Sequence, residues 1–312
     1  MYFPYLRAKQ YELIALKELG SILVANKAKI SPIIEPVKDS ATFKSTLSDL
    51  RAKNINFNVV INPKVGDMQN ATTNILTILN KELSGYKNFQ LGIIIAANEN
   101  YSNLISSLKK YSSVFHKLTL IHIATNENVE KIVAEFDSII PVKYNVVYFG
   151  KTNRRYYRKF KEKTIVELED YFKVQQKNAD YKEVEDSNFS EEHKFYSKDG
   201  FIGFSDFLTI GDNYTESGFL PYAIAIHLSY SDDENSIRIK HFVSDSNDDT
   251  SDIAGKFEEA LNKLVAWCNS THFSTHAVES FKKLHETGHF PGLGSVKKLS
   301  IMNHIELVLK LI

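Results

Sequence analysis

Five residues of this 312-residue chain stand where side chains could do chemistry: Arg7, Glu35, Asn62, Lys64 and Asp206. Each closes, or lies just beyond, a short apolar run. Glu35 and Asp206 are carboxylates suited to general acid–base work, or to holding a divalent cation through oxygen. Arg7, Asn62 and Lys64 would bind an anionic substrate group such as phosphate. Asp206 lies between Phe204 and Phe207, and an aspartate inside an apolar strand needs a partner. Lys38, Asn98, Asn126, Tyr148, Glu167 and Glu169 occupy comparable positions. The competing reading is structural: strand ends meet water in any such fold and carry salt bridges without catalysing anything. No spacing specifies a metal site, and no motif names a cofactor.

Other segments carry weaker signals. Lys151–Lys161 mixes cations with Tyr156, Tyr157 and Phe160, as a nucleic-acid face would. As an outer helix it would instead turn Tyr157 and Phe160 inward and leave its charges solvated. Phe290–Lys298 is a glycine-bearing turn entering a helix with Ser295 as the expected N-cap, and it lacks the P-loop spacing. His272 and His276 are four apart, as are His285 and His289, but Gly288 and Pro291 interrupt the second pair and no HExxH occurs. Cys268, the lone cysteine, falls on an apolar helical stripe and reads as packing.

The elements that must position these residues are eight apolar runs: Tyr2–Leu6, Pro32–Pro36, Phe57–Ile61, Leu91–Ala96, Leu118–Ile123, Lys143–Tyr148, Thr164–Glu167 and Phe201–Phe207. Helical stretches separate most of them: Lys9–Leu19 with a stop at Gly20, Ala41–Arg51 capped by Ser40, a stripe through Ile75, Leu76, Leu79 and Leu83, residues 101–111, a stripe from Val129 to Phe136, and basic Thr152–Lys161. Strand alternating with helix eight times predicts an α/β fold of the (β/α)8 TIM-barrel type, which gathers strand ends at one mouth. An open doubly wound sheet is the rival, but Leu6-Arg7-Ala8-Lys9 lacks the glycine-rich phosphate loop of that fold. Lys173–Gly200 is polar and weakly patterned, an excursion. After residue 210 the period changes. Tyr222–Tyr230 and Ser236–Val243 form an expected hairpin, and helices follow at Ile253–Cys268, Ala277–His285 and Val296–Leu311. Residues 1–210 thus make the barrel and 211–312 a hairpin and helical layer appended to it, within one domain.

Composition excludes several classes. Lys plus Arg and Asp plus Glu number 38 each, so no global field draws the chain to nucleic acid or anionic lipid. One cysteine excludes an internal disulfide framework. No apolar run approaches the ~18 residues of a membrane span, and Met1-Tyr2-Phe3-Pro4 has no secretory character, so a cytoplasmic protein is expected.

Met1–Leu13, Ile33-Ile34-Glu35-Pro36-Val37-Lys38, Asn62-Pro63-Lys64-Val65-Gly66, Gly203-Phe204-Ser205-Asp206-Phe207, and Gly292–Ser300 followed by His304 together resemble the beta family. That family takes its name from a protein of a temperate-phage satellite and is scattered through bacterial mobile elements. The resemblance covers most of the chain and carries no catalytic residues with it. It implies a binding or regulatory protein of a mobile-element operon, acting in phage defence or toxin neutralisation on a protein encoded by a neighbouring gene. The alternative from another class is a barrel hydrolase for a phosphorylated or nucleotide-like substrate, with Glu35 and Asp206 catalytic.

Overall fold

The computed structural model describes residues 1–216 and 220–312, and the chain forms two compact units. The first comprises Met1–Asp170 with Glu192–Asp206; the second comprises Tyr171–Glu191 with Phe207–Ile312. The segment 171–191, which the sequence reading kept inside residues 1–210, therefore belongs with the C-terminal part.

In the first unit lie β1 (Tyr5–Leu6), β2 (Ile33–Ile34), β3 (Phe57–Val60), β4 (Phe89–Ile95), β5 (Leu118–His122), β6 (Val142–Tyr148) and β7 (Ile165–Glu169). After β8 (Asp186–Ser190), which joins another sheet, the chain returns for β9 (Gly203–Asp206). All eight barrel strands pair in parallel in the order β1 to β7, then β9. The bridge from Tyr2 to Phe204, with Phe3 N donating to Phe204 O at 2.8 Å, brings the last strand back to the first. The expected (β/α)8 barrel-like fold is thus present. Buried aliphatic side chains fill β3 to β5 on both faces, as parallel strands covered by helices require.

The returns are α1 (Gln10–Glu18) and α2 (Gly20–Ala25), then α3 (Ala41–Ala52), α4 (Thr72–Glu82), α5 (Ser102–Lys109) and α6 (Val129–Asp137). Ser40 caps α3 as expected, accepting from Phe43 N at 3.1 Å. Gly20 is not a stop; it begins α2. The basic segment is no α-helix either, but two 3-10 turns, Phe149–Lys151 and Tyr156–Lys159. Its cations recur at i,i+4 (Arg154 with Arg158, Arg155 with Lys159), a spacing that repels in an α-helix. Tyr156 and Phe160 instead anchor it by packing against Val129, Val147 and Ile165.

Strand register assigns every side chain to a face, because alternate residues point to opposite sides. Following paired residues around the sheet, Tyr5 aligns with Ile33, Asn58, Gln90 and, two residues on, Gly92 with Thr119 and Tyr144. Val146, Val166 and Gly203 continue the set, and the circuit returns to Phe3 and Tyr5. This set faces the lumen. Thr119 donates to Asn58 Oδ1 at 2.6 Å across the intervening β4, and the Phe3 and Tyr144 rings meet at 5.0 Å although their strands are not neighbours. Gly92 also faces the lumen, where an added Cβ would crowd Val60 of the neighbouring β3, 3.2 Å from its backbone.

The second unit has a three-stranded antiparallel sheet in the order β10 (Ala225–Ser231), β11 (Ile237–Val243), β8. The expected hairpin is present and gains a third strand from the polar excursion, where Arg238 pairs with Asp186. Helices α9 (Ile253–Thr271), α10 (His276–Thr287) and α11 (Leu293–Leu311) complete it, with α11 against β10 and α9 against β11. Residues 173–216 and 220–222 otherwise add α7 (Tyr181–Val184) to this unit and α8 (Glu192–Phe195) to the barrel.

Candidate functional site

The C-terminal ends of β1, β2 and β3 build a compact polar cluster around Glu35. Its carboxylate is buried, at 2% exposure, accepts from Tyr5 OH and from the backbone N–H of Lys64, each at 2.8 Å, and forms an ion pair with Arg7, whose Nε lies 3.0 Å away. Arg7 also lies 5.7 Å over the Tyr5 ring. The three first βα loops are thereby tied to one carboxylate. Gly66 adds to this. Its φ of +76° and its approach to Val37, whose Cβ would sit 2.6 Å from an added one, leave no room for a side chain.

Lys64 directs its ammonium elsewhere, onto both oxygens of Glu99 at 2.7 Å. Glu99 in turn accepts from Tyr101 OH, which itself accepts from Ala96 N. Asn62 is consumed by the sheet. Its amide donates to Ile94 O at 2.9 Å and its oxygen accepts from Ile94 N at 2.8 Å, so the side chain extends the β3–β4 ladder past Val60. Asn126 does similar work, linking Ala96 O to Asn128 N. Neither asparagine has the free donor–acceptor pair expected of a substrate contact.

Asp206 does not join Glu35. By register it aligns with Glu169 and belongs with Phe204 and Tyr2 on the helix-facing side. Tyr2 OH donates to Asp206 Oδ1 at 2.7 Å while its ring stacks on Phe204 at 5.2 Å. Burial, then the charge and hydrogen bond of Asp206, hold the Tyr2 hydroxyl well above the usual tyrosine range. The two carboxylates expected to act as a catalytic pair therefore lie on opposite faces of the sheet. Glu167 and Glu169 share the outer face. Burial and the neighbouring Glu192 raise Glu167 to about 9, and burial raises Glu169, whose carboxylate accepts from Asp170 N at 3.0 Å. Tyr148 is luminal by register, buried, and overlain by Lys151 Nζ at 4.8 Å. Asn98 lies in a turn and Lys38 is exposed.

Glu12 escaped the sequence reading. It occupies the third position of α1 behind Lys9 and is 5% exposed. Its carboxylate accepts from the backbone of Arg7 and Lys9, and one oxygen, Oε2, is buried without a hydrogen-bond partner. The loop folds onto it through Ala8 at φ +49°, the left-handed region that costs a non-glycine residue energy. Burial pushes Glu12 up to about 7, against the pull of the Lys9 and Arg7 charges and of the two backbone donors. The available sequence signal was a glutamate three positions after a helix start, half of a capping box, but Lys9 is not a capping residue type.

The remaining motifs resolve into structure. Tyr156 and Phe160 are buried against His122, at 5.6 and 4.4 Å between ring centres, while Arg154, Arg155 and Arg158 are exposed. Burial lowers His122 to about 3, so it is a neutral core histidine. Gly292, at φ +85°, caps α11, and Ser295 lies inside the helix; the turn needs a positive φ that serine would resist. His272 caps the end of α9 and His276 opens α10, so their four-residue spacing spans a turn rather than a helix face. Among the described residues, no group of three or more His, Cys, Asp or Glu is arranged to hold a metal ion. Cys268 is fully buried, and burial pushes its thiol up to about 12. No described helix is long and apolar enough to cross a membrane. No protein-family model, curated protein or solved structure matches the chain.

Proposed function

We propose that this barrel is a binding or regulatory protein that acts through a protein partner. One observation carries the reading: the polar groups at its strand ends are spent on each other. Glu35 takes Tyr5, Arg7 and the Lys64 backbone, Glu99 takes Lys64, Asn62 takes Ile94, and Asp206 takes Tyr2 on the opposite face. Such a network fixes loops in place, which suits a preformed recognition surface. The beta-family resemblance extends the proposal to a mobile-element operon, with a partner encoded by a neighbouring gene and a role in phage defence or toxin neutralisation. Co-expression with the neighbouring gene tests this. A complex of fixed stoichiometry on size exclusion supports it; a chain that elutes alone under the same conditions overturns it.

A second reading rests on Glu12. A buried carboxyl titrating near neutrality, beside Arg7 and Lys9, is the kind of group a hydrolase of phosphorylated or nucleotide-like substrates would use as acid or base. Phosphatase and nucleotidase activity that disappears in Glu12→Gln and Arg7→Gln proteins of unchanged fold would favour it. A wild-type chain inert on such substrates removes it.

A further inference from the structure

In the second unit, a cleft of about 290 Å³ opens between the first turns of α9 and the end of α10. Its lining grades from apolar to acidic. Phe257 and Leu261 are buried beneath it, Leu284 and Phe290 are half-exposed, and Asp252 and Glu258 are exposed. The Phe257 and Phe290 rings, 5.2 Å apart and tilted by 42°, form its aromatic wall. His285 and His289 complete the opposite side, and the lining includes no lysine or arginine.

The cleft's own lining carries two acidic residues, Asp252 and Glu258, and no lysine or arginine. Asp252 satisfies the amino end of α9 itself, accepting from Gly255 N at 2.9 Å, so that helix end is not left as an anion site. Exposed Asp248 precedes it, exposed Glu286 stands in the last turn of α10, and that turn carries the negative end of its helix dipole. Lys256, next to Phe257, is 3% exposed and bound to the Asp249 carbonyl at 2.5 Å, so it does not offset the rim, and Lys283, exposed beside Leu284, lies outside the lining. The volume is at the lower limit for small-molecule pockets and suits one bulky side chain. Aromatic anchors in such pockets, ringed by complementary charge, dominate many protein interfaces.

We infer that this cleft is the docking point for a protein partner, receiving an aromatic side chain flanked by lysine or arginine. The inference deepens the proposed function and rests on its binding reading. The test titrates the full chain with acetyl-Arg-Trp-Arg-amide and with acetyl-Glu-Trp-Glu-amide by NMR and calorimetry at low salt. The expected result is binding of the basic peptide, about tenfold or more tighter than the acidic one, weakening as salt rises. It should be lost in Ala254→Trp, which fills the opening from an exposed position, and in Glu258→Lys, which reverses the rim charge on the surface. Absence of binding, equal affinity for both peptides, or affinity unchanged in folded Glu258→Lys overturns the inference. The two readings separate cleanly. A neighbouring-gene product retained in full by Glu258→Lys and Ala254→Trp refutes the cleft and leaves the partner hypothesis standing. A cleft that takes the basic peptide in a chain that captures no neighbouring-gene product refutes the partner hypothesis alone.

Discussion

Replacing Glu12 by glutamine should flatten the pH dependence of stability across neutrality. Glu12 titrates at about 7 in the folded chain, against 4.5 for an ordinary glutamate. An acid with a raised folded pKa binds its proton more tightly when folded. Its contribution is therefore most favourable below about pH 4.5 and is lost as pH rises through 7. The shift of roughly 2.5 units corresponds to about 3 kcal/mol of stability lost between pH 4.5 and pH 8, at ~1.4 kcal/mol per unit. Glutamine reproduces the protonated side chain in size and keeps an oxygen for the Arg7 and Lys9 backbone donors. Urea unfolding of both proteins at pH 5 and pH 8 measures the effect. At pH 5 the two should match within about 1 kcal/mol, and at pH 8 the variant should be the more stable by about 2–3 kcal/mol. Glu167 contributes a slope of the same sign in both proteins, so the difference between them isolates Glu12. Parallel pH profiles, or a variant destabilised equally at both pH values, would refute the burial argument.

Other outcomes follow from the same physics. Glu35→Ala should cost about 3–5 kcal/mol in denaturant unfolding, because it strands a half-buried guanidinium, a buried phenol and a backbone N–H; a loss under 1 kcal/mol contradicts the network. His227 and His241 face each other across β10 and β11 with their Nδ1 atoms 2.8 Å apart, enclosed by Phe172 and Tyr181. Burial lowers His241 to about 4, and burial with the neighbouring His241 lowers His227 well below the usual histidine value, so stability should fall as pH drops from 6.5 towards 4, and His227→Gln/His241→Gln should show a shallower acid limb. Cys268 should resist a thiol reagent in the native state and react only at the rate of unfolding; immediate labelling would show that its helix opens locally.

The strands were legible because aliphatic runs of five to seven residues buried on both faces have few other homes. What they concealed was facing. Being at a strand end names the end of the barrel and not its side, and a single position of register moves a side chain from lumen to helix layer. Glu35 and Asp206 looked equivalent for that reason, and only the closed register separates them. The polar stretch before residue 191 carries too little apolar pattern to read as a strand, yet β8 is held there by Arg238, Tyr230 and Asp186, charge and hydrogen bonds substituting for hydrophobicity. Glu12 was hidden differently. Its α1 helix was recognised by its leucines, and nothing in that pattern says that an interleaved glutamate turns inward.

The interrupted membership of the two units bears on how the chain is made and where it can be cut. The polypeptide leaves the barrel after Asp170, contributes β8 elsewhere, and returns at Glu192 to supply β9 before leaving again. During synthesis β8 emerges well ahead of β11, the strand it pairs with among the described residues, so it must wait as an unmatched edge. No single scission of the chain yields both units whole. A truncation after Asp206 removes β10 and β11 and leaves segment 171–191 with nothing to pair, while one after Asp170 leaves the barrel without β9. Dissection of the two units therefore calls for excising residues 171–191 and bridging the gap, not for trimming from an end.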